Sequence, residues 1–475
     1  MNASEPIRRN ARVLPDQPAF VRNDGSAIAF AALERDVDRV AHRLRALGCG
    51  PGDAADVACD DLYQYLCVTF GLARVGAAVG AGALAPGMVT LGIGTTAAAR
   101  AVGVDELLAA GGATPTAPEP IHDDPQAVFA YCPSSGTTGG VPKVVAFTHD
   151  LMWRRIVMRM FAAPAIPGSR HVSMVGVDSV FGWQRNLRTL WSGSTLVEPN
   201  LHGDDIAPWL VRTGVTSMTL SPMGLRRLLE CLPPEGVRCA LQLCEVGGAA
   251  VSAALDKMAA ERLGATLLAS YGSTETGTIA SAPVSVLGGR SGAVGYPFPG
   301  VRVEIVDDDD RVLPAGSPGR VRVRTAAAAT GYVDNAEAAA RTFRDGWVYP
   351  SDHGVLDADG LLCLVGRVDD VINLGGVKVA PQEIEVILQA LADLREAAVY
   401  GVPAADGTIT LCAAVVPNGH LDTDALHQRC VARFGRYAPA VIVRMSALPR
   451  NAMGKILRTE LAQTTAALLR KPPGP

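Results

Sequence analysis

The sequence predicts an α/β protein: a large N-terminal region of α/β layers with a small β subdomain, followed by a small α+β domain. Three observations support this. Up to about residue 280, apolar runs rich in β-branched residues, such as 172–177 and 217–220, alternate with helical runs such as 224–231, a pattern of layered and largely buried sheets. Residues 301–325 switch to strict alternation. After Arg367 the order changes again, over roughly a hundred residues. At 475 residues the chain is also too long for one ordinary domain. The expected division is 1–368 and 369–475.

Each element has its own reason. Residues 28–47 open with a short apolar stretch and continue as a helix, in which Val37, Val40, Ala41, Leu44 and Leu47 share one face and Gly48 is the stop. Residues 62–84 are apolar enough to raise a membrane span, but Arg74 interrupts them and glycines crowd the second half, so a buried helix plus strand is expected. Val301, Val303 and Ile305 alternate with polar residues, and the PAGSPG turn leads to Val321 and Val323, which predicts a hairpin. Its acidic run 307–310 reads as a solvated turn. In the last region Pro381 opens a helix bearing Ile384, Ile387, Leu388 and Leu391. Strands are expected near 397–402, 409–416 and 440–447, a helix from about 424, and a loose tail at KPPGP.

Composition excludes several functions. Lysine plus arginine number 43 against 47 acidic residues, a formal charge of −4, unlike a nucleic-acid binder with a basic face. The start MNASEPIRRN carries no apolar core after its arginines, so neither a secretory signal nor an anchor is expected and the cytoplasm is the predicted location. The ten cysteines form no C-x-x-C pair; they read as small buried hydrophobes rather than a zinc site or disulfide framework.

The segment 134–143, SSGTTGGVPK, follows an apolar approach. Its glycines let backbone N–H groups close on an anion, its hydroxyls add donors, and Lys143 adds charge. It is not a nucleotide-binding P-loop, because Lys143 lies between Pro142 and Val144 rather than in Gly-Lys-Ser/Thr at a helix start. Alone it would be an ordinary flexible turn as readily as a site.

Further motifs follow in order: GGAAVS at 247–252, YGSTETG at 271–277, YPSDHG at 349–354, GRVDDVINLGGVKVAPQEIE at 366–385 and PRNAMGKILR at 449–458. With YCPSSGTTGGVPK, and with LPDQPAF and GCGPGD before it, the chain resembles the adenylate-forming superfamily of acyl- and aryl-coenzyme A synthetases, nonribosomal-peptide adenylation domains and firefly-type luciferases. The resemblance implies a large adenylating N-terminal domain and a small mobile C-terminal domain, with ATP and Mg²⁺ as cofactors.

It also implies roles for residues. Ser134, Ser135, Gly136, Thr137, Thr138, Gly139 and Lys143 would bind the β- and γ-phosphates. Gly248 and Ala249 would lie against adenine, with Tyr271 and Gly272 beside it. Thr274 would meet the α-phosphate, and Glu275 would hold Mg²⁺, a hard ion suited to a carboxylate and phosphate oxygens. Asp352 would accept from the ribose hydroxyls, with Arg367 supporting ribose or phosphate. Lys455 would bridge the substrate carboxylate and nucleotide oxygens as charge develops at phosphorus. Asp369 falls at the family's hinge, about which the C-terminal domain would turn to withdraw Lys455 and present Gly375 and Gly376 to a thiol arm. For that glycine pair a structural turn stays equally open. Read singly, Asp352 is also a turn residue, Glu275 a helix cap and Lys455 a surface lysine.

Three departures stand out: an additional residue among Gly140 and Val141 before Pro142, Val144 in place of a glycine, and Arg320 where an acidic residue is common. The expected acyl pocket gathers Val177, Val180, Phe181, Trp183, Met218, Met223 and Val246, with Gly247 and Gly277 leaving room. Such walls suit an aryl or medium-length aliphatic acid, although any one of these residues also reads as core. Asp178 does not align with the aspartate that amino-acid-activating relatives use, and Ser179 stands where acyl ligases carry a histidine. A non-amino carboxylic acid is the favoured substrate. The expected reaction is ATP-dependent formation of an acyl-adenylate, then acyl transfer to coenzyme A. Transfer to the phosphopantetheine of an acyl carrier protein is the first alternative, and a catalytically silent nucleotide-binding homologue the second.

Overall fold

The computed structural model describes all residues except 81–83, 85, 96–97, 99, 110–116, 135–142, 162, 164, 178, 201–204, 249–250, 291, 368–371, 375–376, 380, 404–408, 436–437, 451–455 and 471–475. The chain divides into two compact units, one of Met1–Val303 with Arg322–Pro350, the other of Glu304–Val321 with Ser351–Pro475.

The first unit contains two sheets. One has six strands in the spatial order Ala101–Val102, Leu91–Ile93, Ala54–Val57, Ala78–Gly80, Val128–Ser134 and Lys143–Thr148. Its pairings are parallel except the last, so Ser134 and Lys143 face each other across the 134–143 segment. The second sheet runs Ala293–Pro297, Gly277–Pro283, Thr266–Ser273, Leu243–Gly247, Ser217–Leu220, Arg170–Ser173, Thr195–Val197, Pro18–Val21 and Ala27–Ala29. Its central strands are parallel and apolar, and the antiparallel return from Thr266–Ser273 into Gly277–Pro283 is the turn that carries Glu275.

Helix Phe30–Ala46 buries Phe30, Leu33, Val37, Val40, Ala41 and Leu44, and the chain leaves it at Gly48. Against it lies helix Leu62–Val75, started by Asp61 accepting from the Gln64 amide and ended by left-handed Gly76. A Cβ at Gly71 would come within 2.5 Å of the Val40 side chain, so this contact needs glycine. Arg74, the charge within the apolar run, is fully buried and pairs with Glu34 at 2.8 Å and Asp38 at 3.0 Å. Among the described residues no helix is long and apolar enough to cross a membrane.

Helix Val180–Trp191 ties the two sheets together. Trp183 stacks on Phe129 of the first sheet at 5.0 Å, while Arg185 reaches Glu245 on the second. The helix plus strand expected over 62–84 is present as Leu62–Val75 and Ala78–Gly80, the strand expected at 217–220 as Ser217–Leu220, and the helical run expected at 224–231 as Pro222–Glu230. Helix Glu5–Val13 was not foreseen.

In the second unit, strands Asp352–Leu356 and Leu362–Arg367 pair antiparallel, and Gly319 and Arg320 face Gly354 and His353. The acidic run is a turn, in which one Asp307 carboxylate oxygen accepts from the amides of Asp309 and Arg311 at 2.9 Å. The C-terminal part has antiparallel strands Leu394–Pro403 and Ile409–Pro417 with Val441–Arg444 added in parallel. Alternation then builds a core on each face. Val399, Leu411, Ala413 and Val415 pack with Ile384, Leu388, Leu426 and Cys430; Ala398, Tyr400, Val402 and Ala414 pack with Leu448 and Leu461. These helices and strands match the sequence expectation. The hairpin Ile372–Leu374 with Val377–Val379 and the final helix Arg458–Arg470 are additions to it.

Candidate active site

Open α/β sheets offer ligands the ends of their parallel strands. Two such ends lie side by side here. Gly247 is in register with Ser270, so Gly248 leaves the sheet beside Tyr271 and Gly272. Gly248 is exposed and has φ of +89°, a conformation open to glycine, and Tyr271 is half-buried.

The next residues form a braced turn. Ser273 and Thr276 close it reciprocally, each side-chain oxygen accepting from the other's amide at 3.2 and 3.3 Å. Arg155 then clamps it from outside. Its guanidinium donates to the carbonyls of Thr274 at 2.9 Å, Glu275 at 2.9 Å and Ala327 at 2.8 Å, while lying 4.7 Å from the Phe147 ring centre. The Ala329 amide donates to the same Glu275 carbonyl. One buried cation thus joins the turn to the 327–332 segment.

That segment delivers Tyr332. Its neighbour Val333 bridges Val144, and the Tyr332 hydroxyl donates to Glu275 Oε1 at 2.7 Å. Lys143 Nζ stands 5.6 Å from the centre of the same ring. Glu275 is only 6% exposed. Burial pushes its carboxyl up, but hydrogen bonds from Tyr332, Ser134 and Ser273 outweigh this and hold it below the usual carboxylate range. Burial and the adjacent Glu275 carboxylate push the Tyr332 phenol up, so it stays a donor. Ser134, Lys143, Glu275 and Tyr332 therefore converge, with Glu275 ionised. It is a turn residue, not a helix cap.

Other expected residues fall as follows. Asp352 is buried at the start of its strand and faces Arg367 in register. Of the expected acyl pocket, Phe181 packs on Gly247, where a Cβ would lie 2.8 Å from its ring, and Val246 is buried in the sheet between Leu220 and Ala269. Gly277 lies against Arg155 with φ of +73°. Met223 and Val177 are half-buried, whereas Trp183 belongs to the core. Ser135, Gly136, Thr137, Thr138, Gly139, Asp178, Ala249, Asp369, Gly375, Gly376 and Lys455, and the side chain of Arg367, lie outside the described residues. Arg450 and Ile456, on either side of the 451–455 segment, form an antiparallel bridge.

Two participants escaped the sequence reading. Arg155 had a signal: Leu151, Arg155 and Arg159 recur every four residues on the buried stripe of helix His149–Met160, and arginines on an apolar stripe need partners. Tyr332 had none, standing in an alanine-rich stretch without periodicity.

Comparisons with known proteins show the family and the fold. The sequence matches the AMP-binding enzyme family over residues 7–81 and 90–333, and the AMP-binding enzyme C-terminal domain over 383–455. It is 30% identical to a fatty acid–[acyl-carrier-protein] ligase of Streptomyces coeruleorubidus, covering 94% of this chain and 93% of that protein. It is also 30% identical to a 4-chlorobenzoate–CoA ligase of Arthrobacter sp., covering 77% and 71%. Among solved structures, the O-succinylbenzoate coenzyme A synthetase of Bacillus subtilis, in complex with ATP and magnesium ion, superposes with a TM-score of 0.85 at 22% identity, over 96% of this chain and 98% of that one. ATP-bound MatB from Rhodopseudomonas palustris has a TM-score of 0.87 at 24% identity, over 99% and 100%; both share the fold. The chain belongs to the AMP-binding enzyme family of the adenylate-forming superfamily.

Proposed function

We propose that the chain is an ATP- and Mg²⁺-dependent acid–thiol ligase. A substrate carboxylate attacks the α-phosphorus of ATP and displaces pyrophosphate; a thiol, losing its proton, then attacks the acyl carbon and displaces AMP. The observation that carries this reading is the ionised, buried Glu275 set between Ser134, Lys143 and Tyr332.

No general base is needed for the first step, because a carboxylate is already ionised near neutral pH. The chain's contribution is to position two anions and neutralise the leaving group. Lys143 and the 134–142 segment would take the β- and γ-phosphates, and Thr274 the α-phosphate. Glu275 fits Mg²⁺ as a single hard ligand. Among the described residues no group of three ligating side chains exists, so phosphates and water would complete the shell. The ion would supply charge neutralisation on the phosphates. Gly248 with Ala249, Tyr271 and Gly272 would border adenine, Asp352 and Arg367 would hold the ribose side, and Lys455 would bridge acid and nucleotide. The functional division would fall at 368/369, with Asp369 as hinge and Gly375 and Gly376 on the thiol side.

Coenzyme A is the expected acceptor, as in the 4-chlorobenzoate–CoA ligase relative. A carrier-protein thiol is the second reading, supported by the near full-length match to the carrier-protein ligase. The test supplies purified protein with ATP, Mg²⁺ and an acid panel, offering coenzyme A and phosphopantetheinylated carrier protein in parallel. Thioester on coenzyme A with AMP release is the expected result; thioester on the carrier alone moves the acceptor, and neither product rejects the ligase.

A further inference from the structure

Among the described residues five arginines are buried, and four of them, Arg74, Arg159, Arg185 and Arg188, pair with carboxylates. Arg155 differs. Its guanidinium meets three backbone carbonyls instead, those of Thr274, Glu275 and Ala327. A cation buried without an anion against it is costly, and burial lowers its pKa to about 9. An apolar residue on this stripe of helix His149–Met160 would avoid that cost, so what the three carbonyls gain from a guanidinium becomes the question.

Two of the acceptors are consecutive. In a trans peptide the C=O and the following N–H point in opposite directions. A donor on the Thr274 carbonyl therefore turns the Glu275 amide away from Arg155, and that amide is one of the donors that hold the Glu275 carboxylate. In the next plane the Glu275 carbonyl faces Arg155 and the Thr276 amide donates to Ser273 Oγ. The third acceptor lies on another segment. Nε takes the Ala327 carbonyl, and Val333 bridges Val144, so the stretch that carries Tyr332 is fastened on both sides of that residue. A planar fork of donors can span two segments in this way, whereas an ammonium is a point charge without that fixed fork. Packing leaves little slack: the guanidinium lies on the Phe147 ring, and a Cβ at Gly277 would come 3.4 Å from Nε.

We propose that Arg155 is a positioning residue for metal–nucleotide binding: it holds the Glu275 turn and the Tyr332 segment in register, so that Tyr332 occupies Glu275 Oε1 and the carboxylate is held still for the Mg²⁺ that accompanies ATP. This rests on the reading of Glu275 as the metal's ligand. Arg155 touches neither nucleotide nor acid in this role. It acts through two peptide planes and one tyrosine.

The test follows ATP binding by calorimetry at rising Mg²⁺ with no acid present, and acid-dependent ATP–pyrophosphate exchange beside it. The proteins are the wild type, Arg155→Met, Arg155→Lys, Tyr332→Phe and the double variant Arg155→Met/Tyr332→Phe, each checked for folding by urea melts. Half-saturating Mg²⁺ should rise about tenfold in Arg155→Met, as for loss of one hydrogen bond to a charged group, and less in Arg155→Lys, which keeps the charge without the fork. Exchange should fall more at limiting than at saturating Mg²⁺. Because both residues act through Glu275, the double variant should be little worse than the worse single one. A folded Arg155→Met with the wild-type Mg²⁺ dependence overturns the proposal, as do single effects that multiply in the double variant. If Arg155→Met does not fold, Arg155→Lys alone and with Tyr332→Phe decides by the same two measures. If no acid supports exchange, the ligase reading fails while calorimetry still decides, and ATP binding to the wild type that ignores Mg²⁺ overturns the role of Arg155.

Discussion

At the residue scale, the site turns on how one carboxylate stays charged while buried. Glu275 is held by donors rather than by a neighbouring cation, since Arg155 spends its hydrogen bonds on backbone carbonyls. Its depressed pKa has a definite sign in stability. The contribution is complete above the unfolded value of about 4.3 and is lost as pH falls through the lower folded value. Tyr332→Phe removes one of these donors and should destabilise the protein by about 1.5–3 kcal/mol at neutral pH, as for a hydrogen bond to a charged group. The deficit should shrink in urea melts below about pH 4. A deficit constant over the whole range would show that Tyr332 acts by packing instead.

Elements show what the sequence could and could not disclose. Apolar periodicity suffices for helix Phe30–Ala46, for Ser217–Leu220 and for the alternating strands Leu394–Pro403 and Ile409–Pro417, because each buries one face or both. It is blind to helix Glu5–Val13, whose buried face includes Asn10 donating to the carbonyls of Leu190 and Trp191. The same limit hid Tyr332 and the three arginines gathered on Glu245. An apolar inventory of Phe181, Trp183 and Val246 misses Arg159 and Arg185, because the partner they share, Glu245, is distant in sequence and no local pattern names it. Motif order, by contrast, singled out Ser134, Lys143 and Glu275 before any geometry, and the fold brings them together around Tyr332. Arg74 illustrates the energetic side. Arg74→Met should cost about 3 kcal/mol in urea unfolding, since it removes the buried guanidinium from Glu34 and Asp38 and leaves Arg8 on both, with His42 and the Glu119 amide on Asp38. A loss under about 0.5 kcal/mol would mean that the pair is replaceable by packing.

Across the whole molecule, the expected labour is divided between two bodies of chain. The convergence of Ser134, Lys143, Glu275 and Tyr332 lies in the first unit, while Lys455 belongs to the second. Lys455→Ala should therefore reduce adenylate formation about 100-fold or more, as for loss of a group that stabilises developing charge. Thioester formation from preformed acyl-adenylate should change less than about threefold. Equal loss of both steps would remove Lys455 from the role assigned to it. The central claim, that Ser134, Lys143 and Glu275 form a carboxylate-activating ATP site, meets its most direct test in acid-dependent exchange of labelled pyrophosphate into ATP, measured across the acid panel for the wild-type protein and Glu275→Gln. The account predicts exchange that requires both acid and Mg²⁺ and falls about 100-fold or more in the variant. Exchange without acid dependence, or unchanged in Glu275→Gln, would contradict it.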